Sequence, residues 1–359
     1  MKKILNQQDM RDNNLNSILR LIRHCGPITR RQIETALDIS WGAVSGATAT
    51  LLQQGYIKEV KAAETAGAGR TPTALAVSSQ DHFLLGLDIN RSGLSGVVTD
   101  LAGNVLHTVN AEPTAKAREE WIDEIAALVE ALLVYAQGKS VLAMGVAMQG
   151  AVDAARGVSA KFPAEGWENV PLSEILSARF GLPVFLEHDP DCILYAASAD
   201  RELRDAILLR VDKGTGMAVM LDGKIFKRFG AFELGFTVQN GRPLDESITT
   251  RGVAAAAGCS FAEVTQMAAG GHEKAVTLFE NLAERLGEAV VNMSQIFNVE
   301  QFLLCGKMLA HRELFWHKLT QVIGHLLPDR PLHVDVTDVD QAAVGAALLA
   351  AARHQIKFE

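Results

Sequence analysis

The sequence predicts a mixed α/β protein with a small head and a larger, two-lobed body. Three observations carry this. The first 80 residues read as three short helices followed by a β-hairpin; from residue 83 three strand-like runs precede alternating helix and strand; and that order begins again at residue 206. At 359 residues the chain exceeds what one hydrophobic core usually holds. With 48% hydrophobic and 21% charged residues it is an ordinary globular sequence, which excludes a disordered chain. The expected division is a head at 1–79, a first lobe at 80–190 to which residues 341–359 return, and a second lobe at 191–340.

In the head, Leu15, Ile18, Leu19 and Ile22 follow the spacing of a helix that buries one face, and Gly26-Pro27 ends it. Thr29 and Gln32 have the form of a capping box for a second helix carrying Ile33, Ala36 and Leu37. Ser40 caps a third, in which Val44, Ala47, Leu51 and Leu52 face inward before Gly55. Residues 56–60 and 73–77 read as strands flanking a small-residue loop, which makes the head a winged helix-turn-helix. The helix from Trp41 to Gln54 is expected to enter the major groove of double-stranded DNA, with Arg70 on the wing reaching the minor groove or its phosphates. That helix has no Lys or Arg, so base reading falls to Trp41, Ser45 and Thr48, or to close approach at Gly42 and Gly46. Phosphate contacts fall to Arg11, Arg30, Arg31, Lys58, Lys61 and Arg70. A protein-interaction head is the alternative that the uncharged helix leaves open.

Charge supports a division of labour. Residues 1–80 carry ten Lys/Arg against six Asp/Glu, whereas the remainder carries 24 against 36, within a net charge of −8. A basic head on an acidic body suggests that the head alone meets a polyanion. The four cysteines lie far apart in no metal-binding spacing and are expected as reduced, packed thiols. No apolar run follows the basic residues of the first turns and no window reaches the length of a membrane span, so a cytoplasmic location is expected.

In the body, residues 83–89, 93–100 and 104–110 form a meander, followed by a helix at 121–136 and buried strands at 141–150 and 183–189. This is the order of the ribonuclease-H-like lobe of actin and the sugar kinases. Strands at 206–212, 216–222 and 223–229 repeat it, followed by helical segments near 251–267 and 274–297, a strand at 302–306 and an alanine-rich helix at 341–354. Two such lobes are expected to hold ligand in the cleft between them.

On these residues the sequence resembles the ROK family of repressors, open reading frames and sugar kinases. The stretches EGWENVPL (165–172), EHDPD (187–191), DKGTGMAVMLDGK (212–224) and FELGF (232–236) fall in the family's order, and the head resembles its repressor branch of Mlc- and NagC-type regulators. The resemblance implies three nucleotide elements, two of them altered. Asn90 and Arg91 follow Asp88 where a D-x-G-x-T loop would let a phosphate approach, and Lys307 follows Gly306 where a small residue is wanted. Gly214-Thr215-Gly216 is intact, although it is also a good hairpin turn. Kinase activity is therefore not expected.

The resemblance also implies a sugar pocket. Asp189 matches the family's catalytic or sugar-binding aspartate, and Glu233 and Glu246 match its pocket glutamates, since each carboxylate can accept bonds from two vicinal hydroxyls. Asp189 before Pro190 reads equally as a turn, and Glu246 as a helix cap. Phe236 stands in place of the family's histidine, Pro163 in place of its pocket asparagine, and the cysteine segment of its zinc site is missing, so no metal or other cofactor is expected. The expected protein is a homodimeric DNA-binding repressor of carbohydrate-related genes, gated by a sugar or sugar-phosphate effector. A sugar kinase with an accessory head, or a regulator controlled by a protein partner, are the alternatives.

Overall fold

The computed structural model describes residues 7–61, 73–201, 203–227, 233–338 and 341–358. The head opens with α1 (Gln7–Cys25), followed by the two-residue strand β1 (Ile28–Thr29), α2 (Arg30–Leu37), α3 (Trp41–Gln53), β2 (Ile57–Lys61) and β3 (Thr73–Val77). Thr29 and Gln32 close the capping box on α2, and the Ser40 hydroxyl accepts from the Ala43 amide at the start of α3. The strands form a sheet in the order β1-β3-β2, completing the winged helix-turn-helix. The wing tip, with Arg70, lies outside the described residues.

The chain divides into two compact units, residues 1–187 with 343–359, and residues 188–342. In the first, β4 (His82–Asn90), β5 (Gly93–Thr99) and β6 (Val105–Ala111) are the expected meander, followed by α4 (Arg118–Tyr135) and β7 (Ser140–Met148). A small sheet of β8 (Ala151–Asp153), β9 (Val158–Lys161) and β10 (Glu168–Val170) follows, then α5 (Leu172–Phe180) and β11 (Val184–His188). The main sheet runs β11-β7-β4-β5-β6, antiparallel across the meander and parallel between β4 and β7. This is the ribonuclease-H-like order. Its core includes Leu85, Leu87, Val146, Trp121 and Trp167.

The second unit repeats the order. Following α6 (Asp189–Arg201) come β12 (Ala206–Val211), β13 (Thr215–Leu221) and β14 (Lys224–Ile225), then the short hairpin β15 (Val238–Gln239) and β16 (Arg242–Pro243). The helices α7 (Asp245–Ile248), α8 (Thr250–Ala257), α9 (Phe261–Ala269) and α10 (Glu273–Phe297) lead to β17 (Gln301–Cys305), α11 (Trp316–Leu326) and β18 (His333–Val336). The sheet order is β14-β13-β12-β17-β18, with β12, β17 and β18 parallel. The helical run expected over 251–267 is two helices, because Gly258 takes φ +71° and ends α8 while Ser260 caps α9.

The closing helix α12 (Ala342–Arg353) belongs to the first unit from Ala343 onward. Its Ala343, Ala346, Ala347 and Ala350 are fully or almost fully buried. Gly86 on β4 and Gly145 on β7 allow this approach: a Cβ on Gly86 would run into the Ala343 carbonyl, and one on Gly145 into that of Ala346. Beyond α12 the tail returns to the head. Asn16 on α1 donates to the Ile356 carbonyl at 2.8 Å and accepts from its amide at 3.0 Å, and Phe358 packs edge-on against Tyr56, which stacks on His82 at 3.9 Å. Leu15, Ile18, Ile33 and Leu51 of the head therefore share one core with Leu84, Ala143, Ala347 and Phe358.

Two outcomes follow. Gly145→Ala should lower the unfolding free energy of the first unit by about 1–3 kcal/mol, because backbone rather than a movable side chain meets the new methyl; urea titration checks this. Asn16→Ala should cost about 1–2 kcal/mol by stranding both backbone groups of Ile356, and limited proteolysis should then cut the tail faster.

Candidate functional site

On the head, α3 presents Trp41, Gly42, Ser45, Gly46 and Ala49 on one exposed face, with Trp41 half exposed. A Cβ at Gly42 or Gly46 would meet nothing within 4 Å, so another backbone can come close there. Thr48, expected on this face, lies instead at 0% exposure. Its hydroxyl accepts from Arg30 Nε at 3.1 Å and donates to the Ser45 carbonyl at 3.2 Å. Helix periodicity explains the correction: residue 48 lies four after Val44 and three before Leu51, both on the core face. Arg30 is correspondingly half-buried and also pairs with Glu59 at 2.9 Å, whereas Arg31 is exposed. Arg30 thus braces α2 against α3 and β2.

In each element expected to hold nucleotide at least one donor is answered from within the chain. At the β4–β5 turn the Asn90 side chain accepts from the Ser92 amide at 2.9 Å, and Gln149 accepts from the Arg91 amide at 3.0 Å. In the second unit the Lys307 amide donates to Asp212 Oδ1 at 2.6 Å, beside Gly306 at φ +107°. The Thr215 hydroxyl of the G-T-G turn donates to Asp245 Oδ1 at 2.6 Å.

Asp189 opens α6 rather than forming a turn and is 4% exposed. Its Oδ2 accepts from Arg210 Nη1, and Arg210 Nε donates to Asp212 Oδ2 at 2.9 Å. One guanidinium thus bridges the EHDPD aspartate and the carboxylate that caps Lys307. His188 lies beside Asp189 at 3.5 Å; burial lowers its pKa, against the opposing pull of Asp189 and Glu233. Asp189 and Glu233 therefore share a neighbour, Asp189 buried and Glu233 exposed. Asp191, one helical step on, is pushed up to about 7 by burial and then by the Asp189 carboxylate, despite Lys227 Nζ at 3.4 Å.

Glu246 does not join that pair but borders a cavity of the second unit. This cavity, about 810 Å³, is bordered by Glu246, Asp245 and Phe236 together with Arg242, Arg251 and Arg285, and neither Asp189 nor Glu233 borders it. Phe236 is largely exposed at its rim. Arg210, Asp212, Asp245 and the three arginines were missed by motif reading. The only signal for Arg210 in the sequence was a charged residue inside an otherwise apolar strand, AILLRV.

The two repeated sheets and the winged head define the class, a DNA-binding-type head on an actin-like body. The chain belongs to the ROK family, whose model matches residues 84–240 and 237–353. It is similar to a xylose repressor of Caldicellulosiruptor bescii, at 24% identity over 83% of this chain and 84% of the relative. It is also similar to the DNA-binding transcriptional dual regulator NagC of Escherichia coli, at 29% identity over 59% of this chain and 53% of that protein. The match thus spans about half the length of NagC. Among solved structures it resembles a ROK family transcriptional regulator, a homologue of the E. coli Mlc protein, with a TM-score of 0.80, 19% identity, and coverage of 95% of this chain and 96% of the other.

The raised Asp191 carboxyl has a testable sign. Between pH 3.8 and about 7 it holds a proton in the folded chain that the unfolded chain has released. Its contribution to stability is complete below that window and lost as the pH rises through about 7. Asp191→Asn should therefore lose less stability than the parent between pH 5 and pH 8 in urea titrations, and an equal loss in both would rule out this assignment.

Proposed function

We propose that this protein is a DNA-binding transcriptional repressor of carbohydrate-related genes that works as a homodimer and has no kinase activity. The observation that carries the reading is the exposed, small-residue face of α3 on a head that shares its core with a ROK body. A helix without charge reads bases by shape and close approach, Trp41 supplying an apolar contact and Ser45 a hydroxyl, while Arg31, Lys58 and Lys61 at the edges meet phosphates. The names of the relatives, a xylose repressor and a transcriptional dual regulator, support the class of regulated gene. Two heads of a dimer would contact half-sites one helical turn apart, or a multiple of it.

Loss of phosphoryl transfer is supported by the altered nucleotide elements, where Asp212 Oδ1 accepts from the Lys307 amide. The first phosphate loop is altered at Asn90 and Arg91, and Lys307 stands after Gly306 where a small residue is wanted. Asp189 gives Oδ2 to Arg210, which leaves Oδ1 for another donor. The exposed carboxylate of Glu233 and the buried one of Asp189 remain suited to accept effector hydroxyls. For an effector to induce transcription it must favour the arrangement with weak DNA affinity over the other.

The test is fluorescence anisotropy on an operator recovered by selection from random duplexes. Trp41→Ala and Ser45→Ala should each weaken specific binding by about 1–3 kcal/mol while leaving non-specific binding in place. Arg31→Ala should lower affinity for all sequences and reduce the salt slope by about 1. Unchanged affinity in the α3 variants, or saturable ATP binding in a parallel titration, would overturn the respective half of the reading.

A further inference from the structure

We infer that His82 is a positioning residue that orients α3 on the first unit's main sheet, and that it thereby sets the half-site separation the dimer accepts. The inference rests on the repressor reading above. His82 is the first residue of β4, and its backbone is fixed in that sheet. It pairs in register with Ser140 of β7, whose amide donates to the Asp81 carbonyl at 3.0 Å. Its ring meets the head. The carbonyl of Gln54, the residue that ends α3, lies 2.8 Å from His82 Nε2. A carbonyl only accepts, so Nε2 carries the proton and donates it. The last turn of a helix leaves its carbonyls without intrahelical donors, and here the body supplies one.

The surroundings keep that bond from turning. The His82 ring stacks on Tyr56 at 3.9 Å with 2° between the planes, and Phe358 of the returning tail meets Tyr56 edge-on at 5.3 Å and 68°. Gly55, between Gln54 and Tyr56, takes φ +76° and runs so near Asp81 that a Cβ there would lie 2.9 Å from Oδ2. The Ser78 amide donates to the Tyr56 carbonyl at 3.0 Å. A hydrogen bond fixes a distance and a stacked pair fixes a plane, so together they hold the end of α3 against rotation on β4. The other ring nitrogen, Nδ1, is buried with no partner among the described residues. The bond to α3 is therefore the ring's one hydrogen bond among these residues. The tail holds α1 at a separate point, through Asn16 and Ile356.

Geometry makes this joint decisive for DNA. α3 has 13 residues, about 20 Å at 1.5 Å per residue, and Trp41 stands at the end far from Gln54. A swing of about 10° at the Gln54 end moves Trp41 by about 3.4 Å, the rise of one base pair. Two heads held at this angle match one separation of half-sites, and loosened heads match its neighbours as well.

The experiment is fluorescence anisotropy of the full chain on the selected operator, on a series with the spacer between half-sites changed by one and two base pairs, and on a duplex with a single half-site. The parent should lose about tenfold or more for a change of one base pair. His82→Phe keeps the ring and its stack but removes the donor. It should lose about threefold or less across the series, while its affinity for the single half-site stays within about twofold of the parent. His82→Gln restores a donor without the ring and should fall between the two. Leu132→Ala, at a buried position of α4 in the other core of this unit, should lower stability yet keep the parent's spacing profile. Circular dichroism melting confirms that each variant is folded. A folded His82→Phe with the parent's profile would overturn the inference. So would an equal loss on the single half-site and the full operator, or a profile relaxed as much by Leu132→Ala. A folded parent that binds no duplex overturns the repressor reading and this inference with it; a parent that binds but accepts every spacer overturns this inference alone.

Discussion

The first unit depends on one close approach, that of α12 to the two central strands of its sheet. A helix can lie this near a sheet only where side chains are absent, and the chain provides Gly86 and Gly145 on β4 and β7 opposite the small residues Ala343, Ala346 and Ala347. The contact gathers elements from opposite ends of the sequence. Because α12 is held, the tail behind it is held too, and Asn16 and Tyr56 find their partners Ile356 and Phe358. The head is consequently docked through a shared core, not suspended on a linker. Arg353, in the last turn of α12, extends the same connection to the opposite edge of the sheet. It donates to the buried Glu187 at 2.6 Å and to the Ala154 carbonyl at 3.1 Å, and its guanidinium lies 5.1 Å from the centre of the Phe185 ring.

In the second unit the organising force is electrostatic. The carboxyl ends of parallel strands are where α/β sheets place ligands, because loops diverge there and backbone amides point outward. Here that end is occupied by the protein's own charges. Arg210 lies between Asp189 and Asp212, Asp212 covers the amide after Gly306, and Asp245 takes the hydroxyl of the G-T-G turn. Asp245 opens α7 just after Arg242 on β16, and Arg242, Arg251 and Arg285 border the cavity beside α8 and α10. Changing which sign of charge faces which space alters the chemistry of a shared fold without altering its sheets.

Much of this architecture was legible in the chain. The meanders, the long helix α10 and the capping box at Thr29 rest on local rules, alternation in strands, heptad-like spacing in helices and turn chemistry, and these act over a few residues. The small sheet β8–β10 and the helices α5 and α6 were not read, since their segments are short and mixed, and the pair Asp189-Pro190 resembles a turn as much as the start of a helix. Thr48 shows the same limit within a well-predicted helix. Hydroxyl residues suit both a groove and a core, and burial was decided by the neighbours Val44 and Leu51 and by the approach of Arg30.

The sequence by itself determined the succession of elements, the basic head on an acidic body and the family's motif order, because periodicity, charge and spacing are properties of adjacent residues. Only the tertiary structure decided what the polar side chains do. Arg210 is 21 residues from Asp189, Lys307 is 95 from Asp212, and Ile356 is 340 from Asn16, and each pair met through strand pairing or helix docking. Directed bonds of this kind depend on distance and angle to a fraction of an ångström, which no local pattern encodes.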